Sequence, residues 1–188
     1  MFWKTVALMA AATLVAGAAP APRPAAKPPV NAASSKPAPA RPKAPAMPFD
    51  ARDPGGLVAL LTSAGADAKI ARKEDDAVLV TVTSVAADFS VQFASCDRQG
   101  RACRAALFDN LGGETSPTLA QLNAFSQGSV MCRAYQDRAG KPHVAYSTLL
   151  FADDSRERMT VQLAAWQGCI GEFRNFLKDP TGYLAAAP

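Results

Sequence analysis

A tract of prolines divides this 188-residue chain into a part that cannot hold regular secondary structure and a part that can. Residues 20–48 contain ten of the fifteen prolines. Each proline lacks a backbone N–H and disfavours the helical conformation of the residue before it, so neither a helix nor a sheet ladder continues here. We expect polyproline II, reaching on the order of 90 Å at ~3.1 Å per residue, although a solvated disordered tail fits the composition equally well.

The first eighteen residues have the pattern of a secretory signal peptide. Lys4 is the single charge, an apolar stretch from Thr5 to about Ala16 follows, and small residues favour cleavage before Ala19. The apolar stretch is too short to span roughly 30 Å of hydrocarbon, so we expect no permanent membrane span after leader cleavage. A buried N-terminal helix is the alternative interpretation, although the proline tract follows it at once.

The charge distribution argues against nucleic-acid binding. The net charge is +4, but residues 1–48 carry six basic side chains and no acid, which leaves residues 49–188 near −2. A fold that binds phosphates needs a basic face, and here the basic excess lies outside the candidate domain. We therefore predict a signal peptide at 1–18, a Pro/Ala-rich linker at 19–48 and one domain at 49–188, with no nucleic acid as partner.

Four cysteines follow the export signal, and an even number in an oxidising compartment favours disulfides. Cys96 and Cys103 flank the polar turn 97–102 between two apolar runs, which predicts a bridge at the base of a hairpin loop. Cys132 and Cys169 then pair by default, although spacing alone allows three connectivities. Zinc sites usually need C-x₂₋₄-C knuckles and redox sites C-x-x-C, so we expect no metal and no cofactor.

Hydrophobic periodicity predicts an α+β domain whose antiparallel sheet is flanked by helices. The predicted helices are one of about eleven residues between Asp53 and Gly65, one at 118–127 and one at 156–177. The predicted strands are 67–71, 77–83, 89–93, 104–109, 133–137 and 143–151. The last helix carries apolar residues at spacings of three or four and should end before Asp179-Pro180.

The sequence shows no arrangement typical of an active site. His143 is the single histidine, at the start of a predicted strand, where a structural or exposed role is expected. The acidic groups Asp153-Asp154 and 74–76 are adjacent charges in predicted turns, which indicates solvated loop residues rather than a catalytic pair. We therefore predict that the chain is not an enzyme; a hydrolase would need a deep pocket that holds perturbed carboxylates or His143.

Residues 89–177 carry a series of short motifs. They read F-S-V-Q-F-A-S-C at 89–96, C-R-A-A-L-F at 103–108, L-A-Q-L-N-A-F at 119–125 and C-R-A-Y-Q-D at 132–137, followed by an apolar strand to Phe151 and a helix with Trp166 and Phe173. This series resembles the YbjN family, bacterial proteins described as sensory transduction regulators, over about half of the chain. The family's N-x-W-N motif is softened here to Asn123, Ala124, Phe125 and Ser126.

The resemblance implies a fold like that of type III secretion chaperones and a non-catalytic role in binding proteins. The leader and linker depart from cytoplasmic relatives, so we expect a periplasmic or secreted version that binds a protein or peptide through a sheet face or helix groove, or forms a homodimer. Polar residues inside the motifs are the candidate contacts: Arg104, Asn123, Arg133 and Tyr135. The alternative for these residues is structural: Asn123 would cap or bridge the backbone, and Arg133 would pair with a nearby acid. The alternative function is an envelope protein whose basic linker contacts anionic wall or lipopolysaccharide.

One mass measurement tests the export prediction. We expect the exported chain to begin at Ala19 and to weigh four hydrogens less than the reduced sequence, because two disulfides remove four thiol protons. Intact-mass spectrometry under non-reducing conditions checks both. Recovery of a chain with its initial methionine and four titratable thiols would contradict the prediction.

Overall fold

The six strands expected from the alternating pattern form one antiparallel sheet in a computed structural model, which describes residues 48–186. The helices are α1 (Pro54–Ser63), α2 (Leu119–Gly128), α3 (Arg156–Lys178) and α4 (Pro180–Ala186). The strands are β1 (Asp67–Lys73), β2 (Ala77–Thr83), β3 (Phe89–Ala94), β4 (Ala105–Leu111), β5 (Arg133–Gln136) and β6 (Pro142–Leu149). The predicted α+β class, with helices flanking an antiparallel sheet, is confirmed.

The strand order is β1-β2-β3-β4-β6-β5. The first four strands form a meander, because each pairs with the next along the chain. The chain then passes through α2 and forms β5 at the edge, and β6 returns between β4 and β5. Residues far apart in sequence therefore become neighbours, such as Asp109 of β4 and Ala145 of β6.

The hydrophobic core lies on one face of the sheet. Alternate residues of β2 and β3 point into it, as Val80 and Val91 show by pairing directly and being fully buried. The stripe predicted on α3 covers this face. Its buried members are Met159, Trp166, Ile170, Phe173 and Leu177, together with Cys169 and Phe176. The periodicity of three and four residues thus places one side of a 23-residue helix against the sheet.

The last helix ends where the sequence predicts, but a further helix follows it. Pro180 cannot continue α3, since it lacks an N–H, yet it is well suited to the first turn of α4. Tyr183 of α4 lies 6.0 Å from the ring of Phe125 and 5.7 Å from that of Phe176. These contacts attach α4 to α2 and α3. Neither this helix nor its packing was predicted from the sequence.

Both edge strands are interrupted. In β1 the pairing register with β2 shifts between Ile70 and Arg72, which marks a β-bulge or similar irregularity. At the other edge β5 has only four residues, and the turn that follows it is closed by Asp137, whose carboxylate accepts the N–H of Ala139 and of Lys141. Gly140 in this turn has φ +77°, a conformation that glycine adopts without steric strain.

Asp154 is not the solvated loop residue that we expected. It is buried, because its Oδ2 accepts the N–H of Phe151 at 2.8 Å and its Oδ1 accepts from the Arg158 guanidinium at 3.0 Å. Ser155 beside it caps α3 through the N–H of Arg158. The carboxylate therefore fixes the loop that leads from β6 into α3, and this role depends on tertiary contacts that sequence spacing does not reveal.

The cysteine pairs predicted from the sequence are the pairs at bonding distance. The Sγ atoms of Cys96 and Cys103 lie 2.13 Å apart, and those of Cys132 and Cys169 lie 1.98 Å apart. The first pair closes the loop between β3 and β4, and the second joins the start of β5 to the middle of α3. Sulfur atoms at these distances are compatible with an oxidising compartment outside the cytoplasm.

The predicted signal peptide and nearly all of the predicted linker lie outside the described residues. Among residues 48–186, none of the helices combines the length and the hydrophobicity that a bilayer-crossing helix needs.

The two disulfides should stabilise the fold unequally. Their sequence separations are 37 and 7 residues, and a cross-link restricts the unfolded chain more when the loop is longer. Chain-entropy arguments give about 4 kcal/mol for Cys132–Cys169 and about 2.5 kcal/mol for Cys96–Cys103. Urea denaturation of the Cys132→Ser/Cys169→Ser and Cys96→Ser/Cys103→Ser variants measures the difference. Equal losses, or the reverse order, would contradict it.

Candidate functional site

The face of the sheet opposite the core is not covered by any helix of residues 48–186. Residues that point to this side alternate with the buried ones along each strand. On the four central strands they are Ala77, Leu79, Thr81, Thr83, Ser90, Gln92, Ala94, Ala105, Leu107, Asp109, Leu111, His143, Ala145, Ser147 and Leu149. We call this surface, with Arg133 and Tyr135 of the edge strand β5, the open face.

The open face combines exposed leucines with a lack of charge at its centre. Leu107, Leu111 and Leu149 are 40%, 49% and 65% exposed. Of the outward positions on the four central strands, Asp109 is the one carboxylate, and Lys and Arg do not occur. Protein interfaces are likewise depleted of charge at the centre and charged at the rim. The composition of this face is therefore that of a contact surface rather than of an ordinary solvated sheet.

A hydrogen-bonded cluster, the Tyr135 cluster, crosses the open face from β4 to β5. The Tyr135 hydroxyl donates to Asp109 Oδ2 at 2.6 Å, and His143 Nδ1 lies 2.8 Å from the other oxygen of the same carboxylate. On the far side of the imidazole, Nε2 is 3.7 Å from the carboxylate of Asp137. The Tyr135 and His143 rings stack at 5.0 Å. Strand pairing produces this contact, because Tyr135 faces His143 directly across β5 and β6.

The Tyr135 cluster holds the Tyr135 hydroxyl as a hydrogen-bond donor. Burial raises the pKa of Tyr135 well above its usual range, and the Asp109 carboxylate that accepts its hydrogen bond raises the pKa further. Tyr135 therefore stays a protonated donor at physiological pH. The Nδ1 atom of His143 is hydrogen-bonded to the Asp109 carboxylate, and Nε2 lies 3.7 Å from the Asp137 carboxylate. The arrangement fixes β5 to β4 and β6, and it does not resemble a nucleophile and base pair.

The four candidate contact residues do not converge on one surface. Arg133 and Tyr135 lie two positions apart on β5 and share the open face. Arg104 precedes β4 and pairs with Leu150 beyond the other end of β6, and the exposed Asn123 lies on α2 in the helix layer. Of the four candidate contact residues, two therefore share a surface, Arg133 and Tyr135, and the other two lie apart from it.

Arg133 and Tyr135 already have partners in the chain. The Arg133 guanidinium donates to the carbonyls of Ser129 and Cys132 at 2.9 and 2.8 Å. It therefore orders the loop between α2 and β5 instead of pairing with an acid, which was the structural alternative considered for it. Tyr135 belongs to the cluster described above. Both side chains are therefore held in place on the open face by hydrogen bonds within the chain.

A groove lies on the helix side of the sheet, between α1 and α3. The two helices pack over different strands, α1 on β1 and β2 and α3 on β6, and they leave a space of about 380 Å³. We call it the α1/α3 groove. Its walls are mostly apolar, and the main contributors are Leu60, Leu61, Val85, Phe89, Leu163 and Trp166.

Trp166 lies fully buried at this groove, and its indole N–H has no hydrogen-bond acceptor among residues 48–186. Thr81 Oγ1, on the sheet, is the other buried side-chain polar atom of the described residues without a partner. An unpaired buried donor costs about 1 to 3 kcal/mol, so native proteins rarely contain one without a reason. The unpaired indole N–H of Trp166 is therefore an unusual feature of the core beside the α1/α3 groove.

A larger cavity lies elsewhere, and charged side chains with partners in the chain line it. It measures about 500 Å³ beside the first turn of α1. Arg101 pairs with Asp53 at 3.5 Å, Arg156 lies over the Phe49 ring at 5.4 Å, and Lys73 donates to a backbone carbonyl. These side chains use their charges within the protein. Residues 48–186 also bring together no group of three His, Cys, Asp or Glu side chains that could hold a metal ion.

The chain matches no protein-family model, no curated protein and no solved structure. The YbjN resemblance stays a prediction.

Sequence reasoning missed the Tyr135 cluster. Its members stand at 109, 135, 137 and 143, in segments that were predicted separately. Outward alternation could have placed Asp109, Tyr135 and His143 on one face of their strands, but the insertion of β6 between β4 and β5 is what brings them together. That strand order depends on packing in three dimensions.

Acid should weaken the edge of the sheet through Asp137. The N–H groups of Lys141 and Ala139 hold the pKa of Asp137 below its usual range. A lowered folded-state pKa adds stability that is present above about pH 4 and is lost as the pH falls through the folded value. We expect Asp137→Asn to melt at a lower temperature than the parent at pH 7, and the gap to close toward about pH 2.

Thermal unfolding followed by circular dichroism between neutral and acidic pH measures this gap. Asp153→Asn, at an exposed loop position, is the matched control. A gap of constant size across the pH range would show that the ionised carboxylate has no such role.

Proposed function

We propose that this chain is a non-catalytic protein-binding module of the cell envelope, of the YbjN type and with a fold like that of type III secretion chaperones. The open face is the contact surface, and a protein partner is its ligand. The observation that carries the proposal is a leucine-bearing sheet face whose four central strands have one carboxylate and no Lys or Arg on the outward side, and which no helix of residues 48–186 covers.

The size of the open face supports a protein partner. The five strands that form the open face, β2 to β6, are four to eight residues long, and at about 3.3 Å per residue and about 4.8 Å between strands they outline roughly 500 Å². A typical stable interface buries about 800 Å² of accessible surface on each partner, and accessible area exceeds such a projected outline. The face is therefore large enough for specific binding of a protein.

The chemistry of the open face also supports binding. Leu107, Leu111 and Leu149 supply apolar area, and Tyr135 is held in one orientation by its hydrogen bond to Asp109. Fixed aromatic side chains lose little conformational entropy on binding and are common at interface centres. The predicted leader and the two cysteine pairs support a location outside the cytoplasm, where such a partner would be met.

Site-specific photo-crosslinking tests the proposal. A photoreactive amino acid replaces Leu107 on the open face or, as matched control, Val161, which is 67% exposed on α3 in the helix layer. We expect a discrete adduct with an envelope protein from position 107 and not from position 161. An adduct of twice the chain mass would identify a second copy as the partner.

Two charge substitutions test the same surface quantitatively. Leu107→Glu and Leu149→Glu place carboxylates on exposed positions, so folding should be nearly unchanged while binding of the crosslinked partner weakens at least about tenfold. Equal crosslinking from both positions, or unchanged affinity in both variants, would contradict the proposal. Binding of anionic wall polymer by residues 19–48 alone would instead favour the alternative function.

A further inference from the structure

We infer that the free edge of β6 is a binding site for an extended segment of a partner protein, which pairs with β6 as an additional strand. The free edge consists of Ser147 and Leu149, which lie beyond the last residue of β6 that pairs with β5. The backbone of one strand carries this inference, whereas the side chains of the open face carry the proposed function. Either can therefore fail without the other.

The backbone hydrogen bonds of β6 alternate between its two sides. The Leu150 N–H donates to the Arg104 carbonyl at 2.9 Å, so the even-numbered residues of β6 face β4. The odd-numbered residues face β5, as the turn between the two strands shows, where the Asp137 N–H donates to the Lys141 carbonyl at 3.0 Å. The backbone groups of residues 147 and 149 therefore point away from β4.

The side of β6 that faces away from β4 is unpaired at Ser147 and Leu149. Pairing between β5 and β6 ends at Arg133 and Ala145, because β5 has only four residues. Beyond that pair, residues 48–186 place no strand next to β6 on this side. Two N–H groups and two carbonyls thus lie in a row without a strand partner, which is the arrangement that an added strand uses.

The free edge has defined ends, which limit the length of its occupant. One end is Ala145, which pairs with the first residue of β5. At the other end the Asp154 carboxylate accepts the N–H of Phe151 at 2.8 Å, so the row of free groups stops there. From residue 145 to residue 151 a strand spans about 20 Å at about 3.3 Å per residue, which fits an extended segment of about five residues.

A groove of about 350 Å³ opens at the free edge, and we call it the β6/α3 groove. Residues 147–150 of β6 form one wall, and the first turns of α3 form another. Residues from both faces of β6 line it, and β4 covers the strand's other side, so the groove lies at the unpaired edge. Side chains of an added strand alternate, so every second one enters the groove and the others extend the open face.

The walls of the β6/α3 groove indicate the chemistry of the segment. Leu150 and Met159 are buried there and Phe151 is 52% exposed, which favours an apolar side chain. Arg158 is the exposed charged residue of the walls, and it uses Nη1 for Asp154 while its guanidinium has further N–H groups. The occupant is therefore an extended segment with an apolar and an acidic side chain two positions apart.

Heptapeptides selected by phage display against the full chain, then synthesised, are the probe. Ser147→Pro removes an N–H that faces away from β4, and proline is tolerated at such edge positions. Ser147→Ala keeps this N–H and is the matched control. We expect the peptide to bind the parent and Ser147→Ala equally and Ser147→Pro at least about tenfold more weakly, with circular dichroism unchanged in both variants.

A second measurement leaves the protein unaltered. N-methylation of alternate peptide amides removes the donors on one side of the added strand at a time. One methylated peptide should lose at least about tenfold in affinity and the other should not, because only one side faces β6. In the complex, hydrogen exchange of the Ser147 and Leu149 amides should slow at least about tenfold. Leu107→Glu, on the open face, should leave the peptide's affinity unchanged.

Four results would overturn the inference. They are selection of no peptide, equal affinity of the peptide for Ser147→Pro and Ser147→Ala, equal loss of affinity in both methylated peptides, and unchanged exchange at Ser147 and Leu149. Exchange at these two amides that slows with protein concentration in the peptide-free chain would also overturn it, because the free edge would then pair with a second copy.

Discussion

Burial of one stripe of α3 against one face of the sheet is the interaction on which the rest of the structure depends. Trp166 is its centre, with its ring 5.8 Å from that of Phe89 and 5.9 Å from that of Phe108, on two neighbouring strands. Burying an indole of this size contributes about 4 to 6 kcal/mol. Because a single long helix supplies most of the cover, it leaves both the opposite face and the space beside α1 unfilled by residues 48–186. The two candidate surfaces are consequences of this one-sided arrangement.

The two surfaces differ in kind. The open face is broad, nearly flat and held by strand pairing, so it suits another folded surface. The α1/α3 groove is smaller, with about 380 Å³ between mostly apolar walls. Since the sheet separates them, occupancy of one does not block the other.

The sequence predicted the elements well because their signals are local. Alternation in β2 and β3 and the three-to-four spacing on α3 each depend on residues close in the chain. Cys96 and Cys103 were paired for the same reason. What escaped prediction depends on tertiary packing: the insertion of β6, the attachment of α4 by Tyr183, the burial of Asp154 and the contact of Asp109 with His143. The candidate site was correspondingly less predictable than the fold, since two strands that are distant in sequence build it.

The interrupted edges of the sheet restrict how another polypeptide can associate with it. An edge strand with a regular row of free N–H and C=O groups invites a foreign strand to pair, which is a common route to aggregation. Here the irregularity at Ile70 and Arg72 breaks that row on β1, and β5 ends after four residues at the Asp137 turn. Strand addition is thereby disfavoured along β1 and β5, so the sheet resists polymerising edge to edge even at high local concentration.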